Sequence, residues 1–587
     1  MLRTNTCGEL TKKDIGKNVT LCGWNQSRRD HGGVIFVDLR DRYGLTQIVA
    51  DPSHKKEVHK VCEKVRREDV LRAIGKVRHR GKDLENPKLK TGEIEVLLES
   101  LEILNSSETP PIEIDDRQLA NEEIRMKYRY LDLRRPEMQR NLLVRHKASM
   151  AVREYMNSEN FLEIQTPMLV KSTPEGARDY LVPSRVNPGH FYALPQSPQL
   201  YKQILMVAGF DRYYQFPICL RDEDLRADRQ PEHTQIDIEM SFVEIDDIFN
   251  VVENLMKSIF KKTLNIDLKT PFERLKHSSS IDRYGLDKPD LRFGLEITDI
   301  TSISSESDFS VFKDAVKKGG VVKCLNLKGC GTFSRKDIEE MTEFVAIYGA
   351  KGLAWAKMEE ELKSSIVKYF KKPIQDKIIK ATNAEKGDLI VFIADNRKIV
   401  NESFGQLRNF IGKKLKLYDE KEFQFCWVTD FPLFEYDDKE DRIKPAHHMF
   451  CMPKKEDIKL LEKKPLEVYC TQYDLVLNGV ELASGSIRIT DPELQKTIMK
   501  IIGMTEKEAN EKFGFLLESF KYGVPPHGGI GIGFDRLVAM ICGYNDIREV
   551  IAFPKNKNAA NLMDGCPTKL SDKDLKEQHI KLDFIQK

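Results

Sequence analysis

The chain has 587 residues, 32% charged and 40% hydrophobic, with a formal net charge of +2. That length calls for roughly three or four domains, and the near-even charge gives no whole-chain signal of nucleic-acid binding. No apolar run reaches membrane-spanning length, so no membrane association is expected. The opening Met1-Leu-Arg-Thr-Asn-Thr-Cys-Gly8 is too polar for a secretory signal, which points to a cytoplasmic location. The eleven cysteines are scattered, the closest pair (Cys324 and Cys330) lacks metal-ligand spacing, and no Cys-x-x-Cys occurs. Free or buried thiols are expected rather than disulfides or zinc.

In chain order, residues 1–104 carry five alternating runs, Val19–Trp24, Val34–Arg40, Leu45–Asp51, Leu71–Arg80 and Glu93–Leu101. One helical stretch over about His54–Arg67 falls between the third and fourth. Five strands with a helix in that place is the order of an OB-fold barrel. Lys and Arg exceed Asp and Glu only modestly here, so an ordinary barrel surface is a fair reading of composition. Phe36 on one strand, Gln47 on the next and the Arg78/Arg80 pair are residue types that stack on and read an unpaired base. Residues 105–135 form a linker opening with Asn105-Ser-Ser-Glu-Thr-Pro-Pro111, whose prolines forbid helix and stiffen it. A helix follows over about Leu142–Ser158, with Val144, Ala148, Ala151, Val152, Tyr155 and Met156 on a core-facing stripe.

Ser172-Thr-Pro-Glu-Gly-Ala-Arg-Asp-Tyr180 has no regular period and reads as a loop able to close as a lid. Cys219 to Met240 reads as strand, long charged loop, strand. On the second strand Ile236, Ile238 and Met240 point one way, and Gln235, Asp237 and Glu239 the other; on the first, Arg221 and Glu223 share a face. Charge alone would make this an exposed hairpin. Residues 293–421 alternate in Gly352-Leu-Ala-Trp-Ala356 and Asp388-Leu-Ile-Val-Phe-Ile393 between Lys/Glu-rich helical segments. They read as an independently folded α+β module inserted between segments 136–292 and 422–560. Asp474 and Glu481 are candidate magnesium ligands, hard oxygens suited to a metal bound largely through phosphates. Glu481 and Arg488 lie an odd number of residues apart, so a straight strand would send them to opposite faces; Ala483-Ser-Gly-Ser486 is expected to bend or bulge. Residues 561–587 end in a helix-like segment near Asp572–Leu582, expected to pack outside the catalytic domain.

Three blocks in order carry a family resemblance. Phe161-Leu-Glu-Ile-Gln-Thr-Pro167 is similar to the first signature of class II aminoacyl-tRNA synthetases, the dimer-forming segment. Leu220-Arg221-Asp222-Glu223 resembles the second, Phe-Arg-x-Glu, with Leu in the Phe place. Gly531-Ile-Gly-Phe-Asp-Arg536 resembles the third, a Gly-rich strand against ATP followed by an Arg opening a helix. A dinucleotide fingerprint fails because the third Gly has no match. The barrel, the linker and the insert with Ile347-Tyr-Gly-Ala-Lys-Gly-Leu353 extend the resemblance to aspartyl-tRNA synthetases of bacterial type. It implies a multidomain α+β homodimer: an N-terminal OB-fold barrel, a class II catalytic domain on an antiparallel sheet, and an inserted α+β domain.

The resemblance also implies the chemistry: ATP-dependent activation of L-aspartate, then transfer to the 3′ end of the tRNA for aspartate. By it, Arg221 and Arg536 hold ATP phosphates, with Asp222, Glu223, Gln230, Glu481, Gly533, Phe534 and Asp535 completing the ATP site, and Asp474 and Glu481 holding Mg²⁺. Glu175 approaches the amino acid's ammonium. Ser197, Gln199 and His447 meet its polar groups, and Lys202 and Arg488 clamp its side-chain carboxylate, with Arg221 alongside and Asp237 orienting the cationic pair. Phe36, Gln47, Arg78, Arg80 and Glu95 belong to the anticodon surface. The usual glycines are replaced by Ala483 and Ser484. Within the fold, an asparaginyl- or lysyl-tRNA synthetase or an asparagine synthetase is the alternative, and a non-catalytic tRNA-binding relative is another. His31 followed by Gly32 resembles enzymes that also charge the tRNA for asparagine, whose product a tRNA-dependent amidotransferase then converts. Asp83 lies in the neighbouring loop. The bland alternative makes His31 a polar loop residue, and the enzyme then serves one tRNA.

Overall fold

The computed structural model describes residues 1–81, 83–173, 177–223 and 229–583. Residues 1–143 together with 551–568 form one compact unit, and the remainder forms a second.

In the first unit, inside–outside alternation, clearest over 18–25, 34–38 and 70–77, produces the barrel. Strands β1 (Asn18–His31), β2 (Val34–Asp41), β3 (Gly44–Ala50), β4 (Val70–His79) and β5 (Ile94–Asn105) close in the order β1-β2-β3-β5-β4, and helix α1 (Lys56–Cys62) lies between β3 and β4. Ile35, Val37 and Leu39 of β2 and Leu71, Ala73 and Val77 of β4 fill the interior. Closure comes from the parallel pairing of β3 with β5, where Ile48 meets Val96. All five expected strands are present. β1 runs on to His31 because Gly32 and Gly33, at φ +61° and +84°, make a two-residue hairpin turn into β2. Downstream, the Arg129-Tyr-Leu-Asp132 turn buries Asp132 completely, where it binds Arg125, Arg129 and Arg135. Arg129 also donates to the carbonyls of Ile551 and Ala552, fixing the returning chain in this unit.

The second unit is built on a nine-stranded sheet. It runs from Glu273–Lys276 through Phe425–Thr429, Gln472–Leu477, Val480–Ile487, His527–Gly533, Glu232–Ser241 and Arg212–Gln215 to Leu162–Glu163, with Ile218–Leu220 paired to Glu232–Ser241. Its interior pairs are antiparallel as expected, and the two edge pairs are parallel. Helix Ile245–Leu264 covers one face, where Phe249 stacks on Trp427 at 3.9 Å between centroids. The other face carries the polar cluster described below.

The inserted residues make their own five-stranded antiparallel sheet, ordered Ile297–Asp299, Val321–Leu327, Leu389–Asp395, Ala354–Met358, Leu362–Lys363. Both faces are covered. Leu389, Val391 and Ile393 pack with helices Arg335–Ala346 and Arg397–Lys414, and Ile390 and Phe392 pack with Ser310–Lys317 and Lys372–Thr382. That explains why residues 389–393 are continuously apolar rather than alternating. Among the described residues no helix is long and apolar enough to cross a membrane.

Candidate active site

A cleft of about 450 Å³ opens on the polar face of the nine-stranded sheet. The Glu232–Ser241 strand, pleated between Arg212–Gln215 and His527–Gly533, directs Gln235, Asp237 and Glu239 to that face, while Ile236, Ile238 and Met240 are buried on the other. Two acidic residues on one fully buried face need compensating charge, and helix Gln199–Val207 supplies Lys202. Its Nζ lies 2.8 Å from Asp237 Oδ1 and 3.1 Å from Glu239 Oε2. Arg488, just past the Val480–Ile487 strand, forks onto Glu239: Nε donates to Oε1 at 2.9 Å and Nη2 to Oε2 at 3.1 Å. Its Nη1 donates to Ser486 Oγ at 2.8 Å and meets His448 Nε2 at 3.1 Å.

The charges in this floor are set by burial against pairing. Burial alone would push Glu239 up, but Arg488 and Lys202 outweigh it and hold its pKa down at about 2. For Asp237 burial wins over Lys202 and the pKa is raised. Burial, then Arg488, keeps His448 neutral well below the usual imidazole range. His233, further along the cleft, is held down at about 4 by burial and by Arg221 and Arg536. The strand across from Glu239 explains the glycines: a Cβ at Gly529 would fall 2.1 Å from Glu239 Oε2 and 2.1 Å from the Ile238 carbonyl oxygen. Gly531 and Gly533 line the cleft itself, and a Cβ at Gly531 would project within 3.6 Å of Asp237 Oδ1.

Most of the expected site residues converge here. Ser197, Gln199, Lys202, Arg221, Glu223, Gln230, Asp237, Glu481, Arg488, Gly533, Asp535 and Arg536 all line the cleft. Arg221 Nε donates to the Gln196 carbonyl at 3.4 Å, and Arg536 Nη1 to the Glu481 carbonyl at 2.7 Å. Gln199 Nε2 is buried with no hydrogen-bond partner among the described residues. Such an orphaned group in a cleft is suited to a polar ligand.

Several expectations need correction. His447 does not line the cleft. It packs edge-on against Phe431 at 5.0 Å, and its neighbour His448 holds the place beside Arg488 and Ser486. Asp222 pairs with Arg178 at 3.4 Å and does not line the cleft. Phe534 is buried against Phe216 and beneath the Arg145 guanidinium, as packing. Asp535 lines the cleft as expected but gives its carboxylate to Arg145 and the Thr234 backbone N–H, and so pins the third-signature helix to the sheet. The bulge that brings Glu481 and Arg488 to one side sits earlier than expected. Val476 faces Glu481 and Leu475 faces Ala483, leaving Leu482 as the extra residue. Glu175 lies outside the described residues.

Asp474 is buried under Ser484, and its carboxyl is pushed well up by burial and by the nearby charge of Glu481. A buried carboxyl raised by a second acidic group beside it suits a cation between them, although no cluster of three or more ligand side chains exists among the described residues. A divalent ion held partly by phosphates fits that donor set.

Glu239 is the residue that sequence reasoning passed over. It shared a face with Asp237 in the strand pattern, and a second acid on that face was the available signal.

On the barrel, Phe36, Gln47, Arg78 and Glu95 fall on one outer face: Gln47 pairs with Asp38, next but one to Phe36, and Arg78 pairs with Glu95, its Nε 2.8 Å from Oε1. Arg80 follows and donates to the Ile94 carbonyl. The His31 ring stands edge-on to Phe36 at 6.3 Å. Asp83 lies in the next loop with φ +68°.

Comparison with known proteins accords with this geometry. Residues 121–557 match the tRNA synthetases class II (D, K and N), and residues 19–104 match an OB-fold nucleic acid binding domain. The Aspartate--tRNA(Asp/Asn) ligase of Caldanaerobacter subterraneus subsp. tengcongensis is 55% identical over 99% of this chain and 98% of its own. That of Desulfatibacillum aliphaticivorans is 53% identical over 99% and 98%. Among solved structures, asparaginyl-tRNA synthetase from Pyrococcus horikoshii with asparaginyl-adenylate aligns at TM-score 0.60 and 19% identity, covering 94% of this chain and 98% of that one. Aspartyl tRNA synthetase from Entamoeba histolytica aligns at TM-score 0.56 and 19% identity, covering 93% and 90%; both alignments speak to fold alone. The chain belongs to the class II tRNA synthetases (D, K and N) and is an aminoacyl-tRNA ligase.

Proposed function

We propose that this enzyme activates L-aspartate with ATP and transfers it to the tRNAs for aspartate and for asparagine. The observation that carries the amino-acid reading is the buried Lys202–Asp237–Glu239–Arg488 network at the cleft floor. Two cations with fixed positions in the lining of the cleft suit a carboxylate. Both cations already have carboxylate partners, so an asparagine side chain leaves neither unpaired, but it forgoes the charge-assisted hydrogen bonds a carboxylate makes to them, worth roughly 1.5–3 kcal/mol each. Discrimination of hundreds-fold or more follows without editing.

The reaction needs no side-chain nucleophile. Lys202 and Arg488 hold the substrate side chain, Ser197, Gln199 and His448 its remaining polar groups, and the α-carboxylate attacks the ATP α-phosphorus with pyrophosphate leaving. Arg221 stabilises the charge that grows on the α-phosphate, and Arg536 anchors the far phosphates. The tRNA's terminal ribose hydroxyl then attacks the adenylate carbonyl. Magnesium, held by Glu481 with Asp474 behind it, supplies charge neutralisation at the phosphates when bound. Exposed Leu162, Met168, Leu169 and Phe242 support a homodimer across the first-signature segment. The names of the relatives and His31 beside Phe36 support charging of both tRNAs, which implies a tRNA-dependent amidotransferase acting on the second product in a cytoplasmic setting. The test of the activation step is ATP–pyrophosphate exchange: it should depend on aspartate and be negligible with asparagine or lysine, and equal exchange with asparagine would refute it.

A further inference from the structure

Behind the amino-acid clamp lie a buried donor and a buried acceptor with no well-formed hydrogen bond among the described residues. Asp237 gives Oδ1 to Lys202, but its Oδ2 is buried without a hydrogen bond among the described residues. Tyr213 is fully buried, and its hydroxyl makes no well-formed hydrogen bond among the described residues. The two are neighbours. Tyr213 pairs with Glu239 and Gln215 with Asp237 on adjacent strands, so all four side chains share one face, and the Tyr213 hydroxyl lies against both Asp237 and Gln215. Gln215 is held from the other side: its Nε2 donates to Thr166 Oγ1 at 2.8 Å and its Oε1 accepts the Thr166 N–H at 3.3 Å. Its second N–H is left for the Tyr213 oxygen, and the Tyr213 proton is left for Asp237.

We propose that Tyr213 is a positioning residue for the clamp: its hydroxyl donates to Asp237 Oδ2, directly or through one buried water, and thereby keeps Lys202 fixed for the substrate's side-chain carboxylate. This rests on the aspartate reading above. The physical need is clear from the surroundings of Asp237. Lys202 faces it from the helix and Arg488 from beyond the neighbouring strand, while Glu239 on its own strand opposes ionisation. Cys219 faces it with a thiol that burial keeps protonated, a weak donor. His448 and His527, which face Glu239 and Arg488, are kept neutral by burial. Burial raises the pKa of Asp237 against the pull of Lys202 and Arg488, so a hydrogen bond to its charged form would add to what favours the anion.

The test uses the full-length protein in aspartate-dependent ATP–pyrophosphate exchange across acid and neutral pH. Tyr213→Phe should raise KM for aspartate roughly tenfold, as for one lost hydrogen bond to a charged group, with KM for ATP unchanged. An aspartate that is harder to ionise loses function at higher pH, so the acidic limb of kcat/KM should move up by about one pH unit. 3-Fluorotyrosine at position 213, near-isosteric and a stronger donor, should move the limb down, and this arm does not depend on how the Phe variant folds. Limbs and aspartate KM that match the parent enzyme in both variants would overturn the proposal, as would an equal loss for both substrates with an unmoved limb. Absence of aspartate-dependent exchange in the parent enzyme would instead bring down the substrate reading itself.

Discussion

Replacing Glu239 by Gln removes the one carboxylate that binds both clamp cations. Glu239 is fully buried, forks with Arg488 at 2.9 and 3.1 Å and lies 3.1 Å from Lys202. Its pKa falls from the ordinary 4.5 to about 2, so ionisation in the fold is favoured by about 3 kcal/mol. Because the folded pKa is depressed, this stabilisation is fully present above the ordinary value and is lost as pH falls through it toward about 2. Breaking a buried pair by removing one partner costs about 3–5 kcal/mol, in agreement with that figure. Glu239→Gln keeps the shape but leaves Arg488 answered by dipoles alone. A loss of about 3 kcal/mol of clamp order corresponds to a fall of more than 100-fold in kcat/KM for aspartate. The assay is aspartate-dependent pyrophosphate exchange beside thermal unfolding of the same samples, and both should drop. A variant that melts with the parent protein and activates aspartate with the parent's kcat/KM would refute the idea that Glu239 anchors Arg488.

Other expectations follow from the same geometry. Gly529→Ala forces a Cβ to within 2.1 Å of both a backbone oxygen and Glu239, so it should depress activation as severely as Glu239→Gln; a fully active Gly529→Ala enzyme would show that the sheet yields there. His448→Ala should weaken aspartate binding by at least tenfold in exchange assays, whereas His447→Ala, beside Phe431, should act mainly on thermal stability; the reverse ranking would contradict the placement of the pair. Phe36→Ala should cost tRNA binding about 1–3 kcal/mol, the worth of a base stacked on an aromatic ring, while leaving pyrophosphate exchange untouched; unchanged aminoacylation KM for tRNA would remove Phe36 from the nucleic-acid surface.

The barrel was legible strand by strand because most of its strands alternate between a buried and a wetter face, as Ile35, Val37 and Leu39 against Phe36 and Asp38 make plain. The inserted sheet was readable as α+β but not in its strand order, because a strand buried on both faces, such as 389–393, carries no period to orient it. At the site, Arg221, Lys202, Asp237 and Arg488 could be placed from motifs, yet the motifs do not say which of two adjacent histidines turns inward. That depends on the path of the chain into Phe450 and Cys451, with Cys451 bridging to Arg488. Bulge position was equally hidden. The odd spacing of Glu481 and Arg488 required an irregularity, but the choice of Leu482 is made by the partner strand Gln472–Leu477. Asp535 and Phe534 stood inside a motif read as ATP-binding, and only tertiary contacts with Arg145 and Phe216 reveal their packing role.

The most direct test of the account is aspartylation by the purified protein of two transcripts, the tRNAs for aspartate and for asparagine, with ATP and magnesium. Both should be charged at comparable kcat/KM, with aspartate and not asparagine attached in each case. Attachment of asparagine, or failure to charge either transcript, would contradict it.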